Sequence, residues 1–494
     1  MIRLATAALI TQPGYMDTAY YAAGGVQIAE AGTLNLPFIW NYLSPPPQLP
    51  HPGYLYWMPL PALLSGLSAS VWRGSFFALQ IPFAVLAAGL PVVAYALAVR
   101  IGTCRREAWV AALLTLFSGF FFPYWSLPET FAPFALAGSL ALLLATRRQG
   151  ALAPFAAGAL VGVAHLTRAD GVLLLPIVLI GVAMPTPKER AIQLRRLLLP
   201  LLGYCLVMGP WYVRNLAAIG APLSPAGTKT LWLTDYDDLF CYKCAISPRM
   251  YLDWGWRAIL NSKLNAMRTN LTRFVAENCL VFMLPFIVAG FYRLRRHLSA
   301  QLCLLYLATI FLAHSLAFTF PGPRGGFFHA SAAALPFLYV AGVDGIDATV
   351  GWIGRRRRWN VRQAQRVFTT AAAIGAITLS VYASAGKIRA WCRADSAYRA
   401  LGQWLDQAEG ETHTVVMVGN PPAFWYHTHR YAVTTPNNSL DGLRDVVNQY
   451  DVDYIHLDRN APRPLHCLYT RACSAAWLQA VEGWTSGTLY EVTD

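Results

Sequence analysis

Carboxylate groups beside apolar segments are the residues with which this sequence could do acid–base chemistry. Asp17 lies in PGYMDTAYY and Glu129 lies in SLPETFAPF, each next to an apolar run. A carboxylate within hydrogen-bond reach of a hydroxyl group can take its proton as that hydroxyl attacks. Both residues also have simpler interpretations, because Asp17 could be a helix N-cap and Glu129 could lie in the first turn of a helix.

Guanidinium and imidazole groups in similar positions could bind an anionic substrate. Arg168 lies beside Asp170 in HLTRADGV, Arg324 lies in FPGPRGGFF, and His51 lies in PHPGYLYW. Guanidinium groups suit phosphate oxygens because they can donate two parallel hydrogen bonds. Arg168 and Asp170 could instead form a local ion pair, and His51 could be an ordinary loop residue.

The composition places these candidates at a membrane. The chain has 494 residues, of which 56 % are hydrophobic and 13 % are charged, and its mean hydropathy is +0.39. A soluble domain carries about 25 % charged residues, so many segments of this chain must face lipid. Ten apolar segments have spanning or near-spanning length, namely 76–99, 108–124, 129–146, 151–167, 171–184, 197–213, 278–292, 299–320, 327–345 and 367–386.

The first apolar segment, 1–12, is too short to cross a bilayer. As a helix it reaches about 18 Å, whereas the hydrocarbon core is ~30 Å thick. We therefore expect the start of the chain to be truncated, rather than its first helix to lie in a thinned region of the bilayer.

The distribution of lysine and arginine predicts the orientation of the chain. One set of alternate loops is basic, whereas the short loops of the opposite set contain only Arg168 and Arg324. The positive-inside rule places the basic set in the cytoplasm. Its basic residues are Arg100, Arg105, Arg106, Arg147, Arg148, Lys188, Arg190, Arg195, Arg196, Arg293, Arg295, Arg296, Arg355–Arg358, Arg362 and Arg366. Membrane topology thus accounts for the net charge of +14, and no nucleic-acid partner is expected.

The opposite side of the membrane receives two long loops, 13–75 and 214–277, and the end of the chain. From about 387 onwards, helix-like stretches such as LDGLRDVVNQY alternate with strand-like runs such as TVVMVG, which is typical of an α/β domain. The predicted fold is a multi-pass α-helical membrane domain over residues 1–386, followed by a small C-terminal α/β extracytoplasmic domain over 387–494. We expect it in the inner or plasma membrane.

Two pairs of cysteines in the extracytoplasmic regions are expected to form disulfide bonds. Cys241 and Cys244 form the stretch CYKC, and Cys467 and Cys473 lie close together in the C-terminal domain. Disulfides persist in oxidising compartments. A structural zinc site would need four ligands, and no second pair has matching spacing.

A divalent metal site is the less expected interpretation of the acidic turn TDYDDLF. Asp235, Asp237 and Asp238 could supply oxygen ligands, but an exposed acidic turn is the more ordinary reading of these residues. No second aspartate accompanies Asp17 in the first long loop, which favours metal-independent chemistry. We therefore expect that no cofactor is required.

In their order, these motifs resemble those of the GT-C membrane glycosyltransferases, in the branch of protein mannosyltransferases and lipid A aminoarabinose transferases. Asp17 matches an acidic residue soon after the first span of that branch. HPGYLYW resembles a Lys-Pro-Pro-Leu-x-Tyr-Trp element with His51 where lysine is usual, and ALQIPFAV resembles an Arg-x-Pro element with Gln80 in place of arginine. LPETFAPF has Glu129 in an acidic position, and LTRADGVLLLP has Arg168 in place of lysine. The resemblance covers about residues 10–385.

The resemblance implies an inverting glycosyltransferase. Its donor would be a sugar linked through phosphate to a polyprenol, and its acceptor would be a hydroxyl-type group on a lipid, glycan or protein at the outer face. Asp17 would be the general base. Arg168, then Arg324, then Arg214 would stabilise the departing lipid phosphate.

The resemblance also gives roles to the other candidates. His51 would contact the donor phosphate, and Glu129 would hold the acceptor or tune an arginine. Tyr56 and Trp57 would stack on a sugar or on prenyl carbons, with an aromatic-belt position as the alternative.

A secondary transporter of a polar or lipid-linked solute is the main alternative from another class. Transporters often contain internal repeats with binding sites at the bilayer midplane. The two halves of this sequence show no convincing repeat, and the ionisable candidates lie at one edge of the membrane. A non-catalytic sensor or scaffold that uses the C-terminal domain to bind a partner is a further alternative.

Overall fold

The structure is a computed structural model, and it describes residues 1–72, 74–147, 150–184, 194–408, 414–458, 462–482, 484 and 487–493. The helices of the first half are α1 (Ile2–Ala8), α2 (Met16–Ala31), α3 (Leu60–Val71), α4 (Phe76–Arg100), α5 (Arg105–Leu116), α6 (Phe131–Ala145), α7 (Leu152–Thr167), α8 (Leu174–Ala183), α9 (Leu194–Ile219), α10 (Pro225–Lys229) and α11 (Pro248–Asp253). Those of the second half are α12 (Trp256–Arg273), α13 (Leu284–Leu294), α14 (Leu298–Leu312), α15 (Phe327–Ser331), α16 (Leu335–Arg357), α17 (Val361–Ala394), α18 (Ser396–Ala408), α19 (Pro421–Thr428), α20 (Leu440–Tyr450) and α21 (His466–Tyr469). The strands are β1 (Asn35–Leu36), β2 (Phe38–Ile39), β3 (His51–Pro52), β4 (Val415–Val418), β5 (Tyr431–Thr434), β6 (Tyr454–Leu457), β7 (Leu478–Ala480) and β8 (Thr488–Val492).

The membrane domain is a bundle of apolar helices. Five helical segments of the described chain are long and apolar enough to span a bilayer, namely Phe76–Arg100, Arg196–Ile219, Leu298–Ala317, Gly322–Arg357 and Val361–Ala408. Five shorter apolar helices lie among them, namely Leu60–Val71, Phe131–Ala145, Leu152–Thr167, Ala169–Ala183 and Leu284–Leu294. Large side chains such as Val85, Leu206 and Val288 remain exposed on the outside of the bundle, as expected of helices that face lipid. The predicted multi-pass helical class is confirmed.

Glycine residues allow two helix pairs to pack closely. A Cβ atom added to Gly203 of α9 would lie 2.1 Å from the carbonyl oxygen of Phe155 in α7. One added to Gly290 of α13 would lie 1.8 Å from the carbonyl oxygen of Ala341 in α16. Such close backbone approach at small residues is how membrane helices gain packing energy without a hydrophobic driving force between them.

The C-terminal part folds around a six-stranded sheet with the order β2-β5-β4-β6-β8-β7. Strands β2, β5, β4 and β6 are parallel to one another, and β8 pairs antiparallel with both β6 and β7. Strand β2 comes from the first long loop and pairs Phe38 with Ala432 and Ile39 with Val433. The expected domain boundary at 386 and 387 falls inside the continuous helix α17.

The two ends of the helix bundle differ. At one end, the two long loops meet each other and the C-terminal sheet, since Tyr42 N donates to Leu239 O and Asn437 N donates to Phe240 O, each at 2.9 Å. We call this the domain end. The opposite end, the arginine end, carries Arg100, Arg106 and Arg293, and Arg100 caps the carbonyl groups at the end of α6. Arg148, Lys188 and Arg190 lie outside the described residues, as does the side chain of Arg195.

Both expected disulfide bonds are present in the structure. Cys241 is bonded to Cys244 and Cys467 to Cys473, with Cα atoms 5.6 and 5.3 Å apart. The first bond lies in the second long loop and the second lies beside helix α21, so both belong to the domain end.

Candidate active site

A cavity of about 240 Å³ opens at the domain end of the helix bundle. It lies where the start of α2 meets the end of α12, the turn before α15 and the end of α17. Its walls combine aromatic rings with charged groups. The lining residues are Tyr15, Asp17, Phe120, Tyr124, Phe131, Arg273, Glu277, Arg324, Gly325, Phe328, His329 and Lys387.

Asp17 is the second residue of α2 and points into this cavity. The N-cap of α2 is Tyr15, so the interpretation of Asp17 as the capping residue is wrong. The Asp17 side chain keeps 36 % of its accessible surface, which it offers to the cavity. Burial within the protein raises the pKa of this carboxyl group to about 6, against the opposing effect of the Arg168 charge. A base with a pKa near neutrality is well matched to proton transfer.

His329 connects Asp17 with the second predicted carboxylate, Glu129. Its Nε2 atom lies 4.0 Å from Asp17 Oδ2, and its Nδ1 atom lies 3.3 Å from Glu129 Oε1. Thr130 Oγ1 forms a 2.8 Å hydrogen bond with the same Nδ1 atom. The imidazole ring stacks on Phe131 with centroids 4.0 Å apart. Helices α6 and α15 therefore fix the ring between the two carboxylates.

Glu129 is a buried carboxyl group beside the His329 ring. Its side chain is 1 % exposed, and neither oxygen has a hydrogen-bond partner in the described part of the chain. Carboxylates in protein interiors are normally paired or hydrogen-bonded, because the unpaired charge is costly. The carboxyl group of Glu129 departs from this pattern, which makes it a candidate site residue.

Arg168, which the sequence favoured for binding phosphate, is clamped by its neighbour Asp170. Its Nε and Nη2 atoms donate to the two Asp170 oxygens at 2.9 and 2.7 Å. His314 Nε2 lies 3.1 Å from Asp170 on the other side. The alternative interpretation of a local ion pair is thus confirmed, and Arg168 does not line the cavity. Its charge still acts on Asp17 from behind the cavity wall.

Three other cations line the cavity, and only one of them was a candidate from sequence. Arg324 lies in the turn Gly322–Gly326, where Gly325 has φ = 149°, a conformation that favours glycine. Its guanidinium group lies over the Tyr236 ring at 4.5 Å. Arg273 ends α12 and lies 3.8 Å from Glu277.

The third cation, Lys387, comes from α17 and donates a hydrogen bond to the Tyr124 hydroxyl. Burial raises the pKa of the neighbouring Glu277 to about 7. Sequence reasoning missed Arg273 and Lys387. Arg273 is one of many cations in a long loop, and Lys387 directly follows a predicted span, where a snorkelling lysine is unremarkable.

His51, Tyr56 and Trp57 do not reach the cavity. His51 lies in β3, where its Nε2 and Nδ1 atoms each lie 3.0 Å from a carbonyl oxygen, those of Phe38 and Pro52. Burial lowers the pKa of this imidazole. His51 therefore ties the first loop together rather than facing a substrate.

The aromatic pair belongs to a packed cluster beneath the same loop. Trp57 stacks on Trp40 with centroids 4.0 Å apart, and Tyr56 meets Trp40 edge-on at 5.3 Å. Tyr20 contacts Trp57 at 4.9 Å. Arg214 is likewise structural, since it donates to Gly53 O at 3.1 Å and lies over the Trp211 ring.

The acidic turn considered as a metal site caps its own backbone. Asp238 Oδ2 accepts hydrogen bonds from the backbone N–H groups of Thr234 and Asp235 at 2.8 and 2.9 Å. The set that could hold a cation is instead Asp17, Glu129 and His329, which bring one ligand atom each to within 4.8 Å of one another. The unbonded oxygens of Glu129 fit such an ion, so the expectation of a metal-free site stays a prediction.

A second, apolar cleft of about 240 Å³ lies along α13, α16 and α17. It is lined by Phe282, Phe286, Ile346, Phe368, Ala371, Ala372 and Gly375. Helix α17 joins it to the charged cavity, because Gly375 and Lys387 lie about 18 Å apart along the helix axis.

The fold resembles that of two membrane transferases of known structure. ArnT from Cupriavidus metallidurans bound to undecaprenyl phosphate matches with a TM-score of 0.57 and 13 % identity over 99 % of this chain and 95 % of that chain. The archaeal oligosaccharyltransferase AglB from Archaeoglobus fulgidus, in complex with an inhibitory peptide and a dolichol-phosphate, matches with a TM-score of 0.51 and 13 % identity over 95 % of this chain and 70 % of that chain. Both are GT-C glycosyltransferases.

The chain has the GT-C fold. The apo form of the same ArnT matches with a TM-score of 0.55. No family model and no curated protein matches the sequence. The GT-C resemblance inferred from the order of short motifs is therefore confirmed at the level of the fold. Any chemistry of this chain depends on the residues of the charged cavity.

Proposed function

We propose that this protein is an inverting glycosyltransferase that moves a sugar from a polyprenyl-phosphate-linked donor to a hydroxyl-type acceptor. The observation that supports this most directly is the charged cavity. Within a GT-C fold, the accessible carboxylate of Asp17 shares this space with the cations Arg273, Arg324 and Lys387, and the second carboxylate there, Glu277, lies beside Arg273. A transferase with an anionic leaving group needs this combination of a base and cations.

Asp17 acts as the general base in this proposal. The acceptor hydroxyl group gives its proton to an Asp17 oxygen while its own oxygen attacks the anomeric carbon of the sugar. The bond between that carbon and the phosphate oxygen breaks, and its electron pair leaves with the polyprenyl phosphate. Attack from the face opposite the phosphate inverts the anomeric configuration.

The cavity cations stabilise the negative charge that grows on the leaving phosphate. Arg324 is held by its ring contact with Tyr236, and Lys387 by its hydrogen bond to Tyr124. Fixed cations of this kind cost little reorganisation in the transition state. Arg168 contributes a buried charge behind Asp17 and keeps this carboxylate more acidic than burial alone would leave it.

The apolar cleft along α17 receives part of the prenyl chain. It lies on the same helix that carries Lys387, so one lipid can reach from the charged cavity into the bundle. The lipid phosphates in the structures of ArnT and AglB support this class of donor.

A divalent cation, when bound by Asp17, Glu129 and His329, would neutralise their charge and polarise a nearby oxygen atom. The proposed reaction does not require it. His329, held by Thr130 and Phe131, lies between the two carboxylates.

The arginine end lies in the cytoplasm in this proposal, following the positive-inside rule. The cavity and the C-terminal sheet then lie on the extracytoplasmic face of the inner or plasma membrane. A lipid, glycan or protein acceptor approaches between the two long loops. The C-terminal domain covers this entrance, because its sheet includes β2 of the first loop.

Binding of undecaprenyl phosphate to the purified full chain in nanodiscs tests the proposal. We expect saturable binding by native mass spectrometry, weakened about tenfold by Arg324→Gln and by Lys387→Gln, since each removes a charge-assisted contact. Arg293→Gln at the arginine end is the matched control and leaves binding unchanged. Absence of saturable binding, or equal affinities in all four proteins, overturns the proposal.

A further inference from the structure

Helix α12 lies outside the candidate membrane spans, yet it leads directly into one of the apolar helices. It begins after Gly255 and ends at Arg273, and the chain then turns into α13. One of its faces packs on the protein. Ala266 and Asn270 are buried there, and the Asn270 amide donates to His314 O at 3.2 Å and to Ser315 Oγ at 3.1 Å.

A second face of α12 exposes a stripe of large apolar side chains. Trp256 is 70 % exposed, Leu260 46 %, Leu264 53 % and Leu271 56 %. Their spacing of four, four and seven residues places them on one side of a helix with 3.6 residues per turn. Four large apolar side chains in a row are unusual on a surface that faces water.

Basic residues flank this stripe on both sides. At 3.6 residues per turn, Arg257 and Arg268 fall on one flank and Lys263 on the other. Helix α12 contains no acidic residue. Long basic side chains at the edges of an apolar face can extend to phosphate groups while their stems cover the boundary.

We propose that α12 lies in the headgroup layer of the membrane leaflet at the domain end, and that this leaflet is recognised through its anionic lipids. Trp256, Leu260 and Leu264 enter the boundary of the acyl chains. Arg257 and Arg268 bind the headgroup phosphates, and Lys263, whose ammonium group donates to Leu316 O, adds positive charge beside them. The continuity of α12 with the apolar helix α13 places it at the height of the membrane surface, and its uncompensated positive charge selects an anionic surface.

This contact links the lipid composition of the leaflet to the charged cavity. Arg273 at the end of α12 and Glu277 in the following turn both line the cavity. Asn270 holds the segment that carries His314, which in turn contacts Asp170. Anionic lipid that binds α12 therefore also stabilises the position of Arg273 and Glu277 in the cavity wall.

Thiol accessibility tests the position of α12 without relying on catalysis. In the full chain, Leu264→Cys places a thiol on the apolar stripe, and Asn265→Cys places one on the adjacent polar face. The rate of labelling by a water-soluble maleimide is measured for each variant, and the labelling of the wild-type cysteines is subtracted. In vesicles with phosphatidylglycerol we expect the first thiol to react about tenfold more slowly than the second. Equal labelling rates for the two thiols overturn the proposal. The proposal also fails if the Leu264→Cys thiol loses its protection in nanodiscs that hold one protein molecule, because a second protein molecule, rather than lipid, would then cover the stripe.

A charge variant tests the recognition of anionic lipid. We expect protection of the Leu264→Cys thiol to fall severalfold when phosphatidylcholine replaces phosphatidylglycerol. Combining Arg257→Gln, Lys263→Gln and Arg268→Gln should abolish this lipid dependence. Arg355→Gln, Arg356→Gln and Arg358→Gln at the arginine end remove the same charge and should preserve it. An unchanged lipid dependence in the α12 variant overturns the electrostatic part of the proposal.

Discussion

Buried carboxylates have different neighbours at the two ends of the helix bundle. At the arginine end, Asp344 pairs with Arg293 at 2.9 Å, and Asp347 pairs with Arg106. At the domain end, Asp170 pairs with Arg168 at 2.7 Å, but Glu129 is almost fully buried 3.3 Å from the His329 ring, and His329 lies 4.0 Å from Asp17. Paired charges hold helices together, whereas unpaired charges cost stability and persist where a site has to act on another molecule. Pairing with an arginine thus distinguishes Asp170, Asp344 and Asp347 from the two candidate site residues, Asp17 and Glu129.

Removal of the Asp17 carboxylate should give the largest effect. Asp17→Asn removes the proposed base and should lower transfer about a thousandfold, while the affinity for undecaprenyl phosphate changes little. Transfer is measured as release of undecaprenyl phosphate from its sugar-linked form in membranes that contain the full chain. Asp344→Asn is the control from the opposite end, and full turnover by the Asp17 variant would contradict the assignment.

Acidification should lower transfer through the same group. Asp17 has a raised pKa of about 6, so it takes up a proton as the pH falls from 7 to 5 and can no longer accept one from the acceptor. We expect kcat/KM to fall about tenfold per pH unit below that pKa. A profile that stays flat down to pH 5, or the same slope in Asp17→Asn, would assign the titration to another group.

Neutralising one carboxylate at each end should change stability in opposite directions. Glu129→Gln replaces a buried carboxyl group that no arginine or lysine pairs with in the described part of the chain, and it should raise the unfolding free energy by about 1 kcal/mol. Asp347→Asn removes one of the two carboxylates beside Arg106, with Glu107 remaining at 3.6 Å, and should lower it by about 1 kcal/mol. Thermal unfolding in detergent compares both variants with the wild type, and a loss of similar size in both would remove the distinction between the ends.

His51→Ala should have the smallest effect on transfer. The imidazole joins carbonyl groups of the first loop and lies outside the cavity lining. We expect unfolding to become easier by about 1 kcal/mol and transfer to change less than about threefold. A loss of transfer as large as that of Asp17→Asn, with normal thermal unfolding, would show that His51 touches the substrate.

The helical bundle and its two long loops were predictable from sequence. Apolar runs in a bilayer must satisfy their backbone groups internally, which makes them helices. Asp17 and Glu129 were found because a carboxylate beside such a run has few ordinary roles. Their convergence on one cluster with His329 required the fold, since the three residues come from distant parts of the chain.

The cations of the cavity were harder to predict than its carboxylates. Arg168 has the motif position expected for phosphate binding, yet Asp170 two residues later occupies its donors. Arg273 and Lys387 have no motif, and only the packing of α12 and α17 brings them to the same cavity. The sequence shows which cationic residues are present, whereas their ion pairs in the folded protein decide which of them can bind a substrate.

Because of strand β2, closure of the first long loop depends on a strand that is synthesised much later. Phe38 and Ile39 follow Asp17 by one helix, but their partner strand β5 lies near the opposite terminus. During synthesis, β2 of the first loop has no partner strand until most of the chain has been made, because β5 begins at Tyr431. A ribosome that stalls before β5 therefore leaves a helix bundle whose first long loop lacks its partner strand.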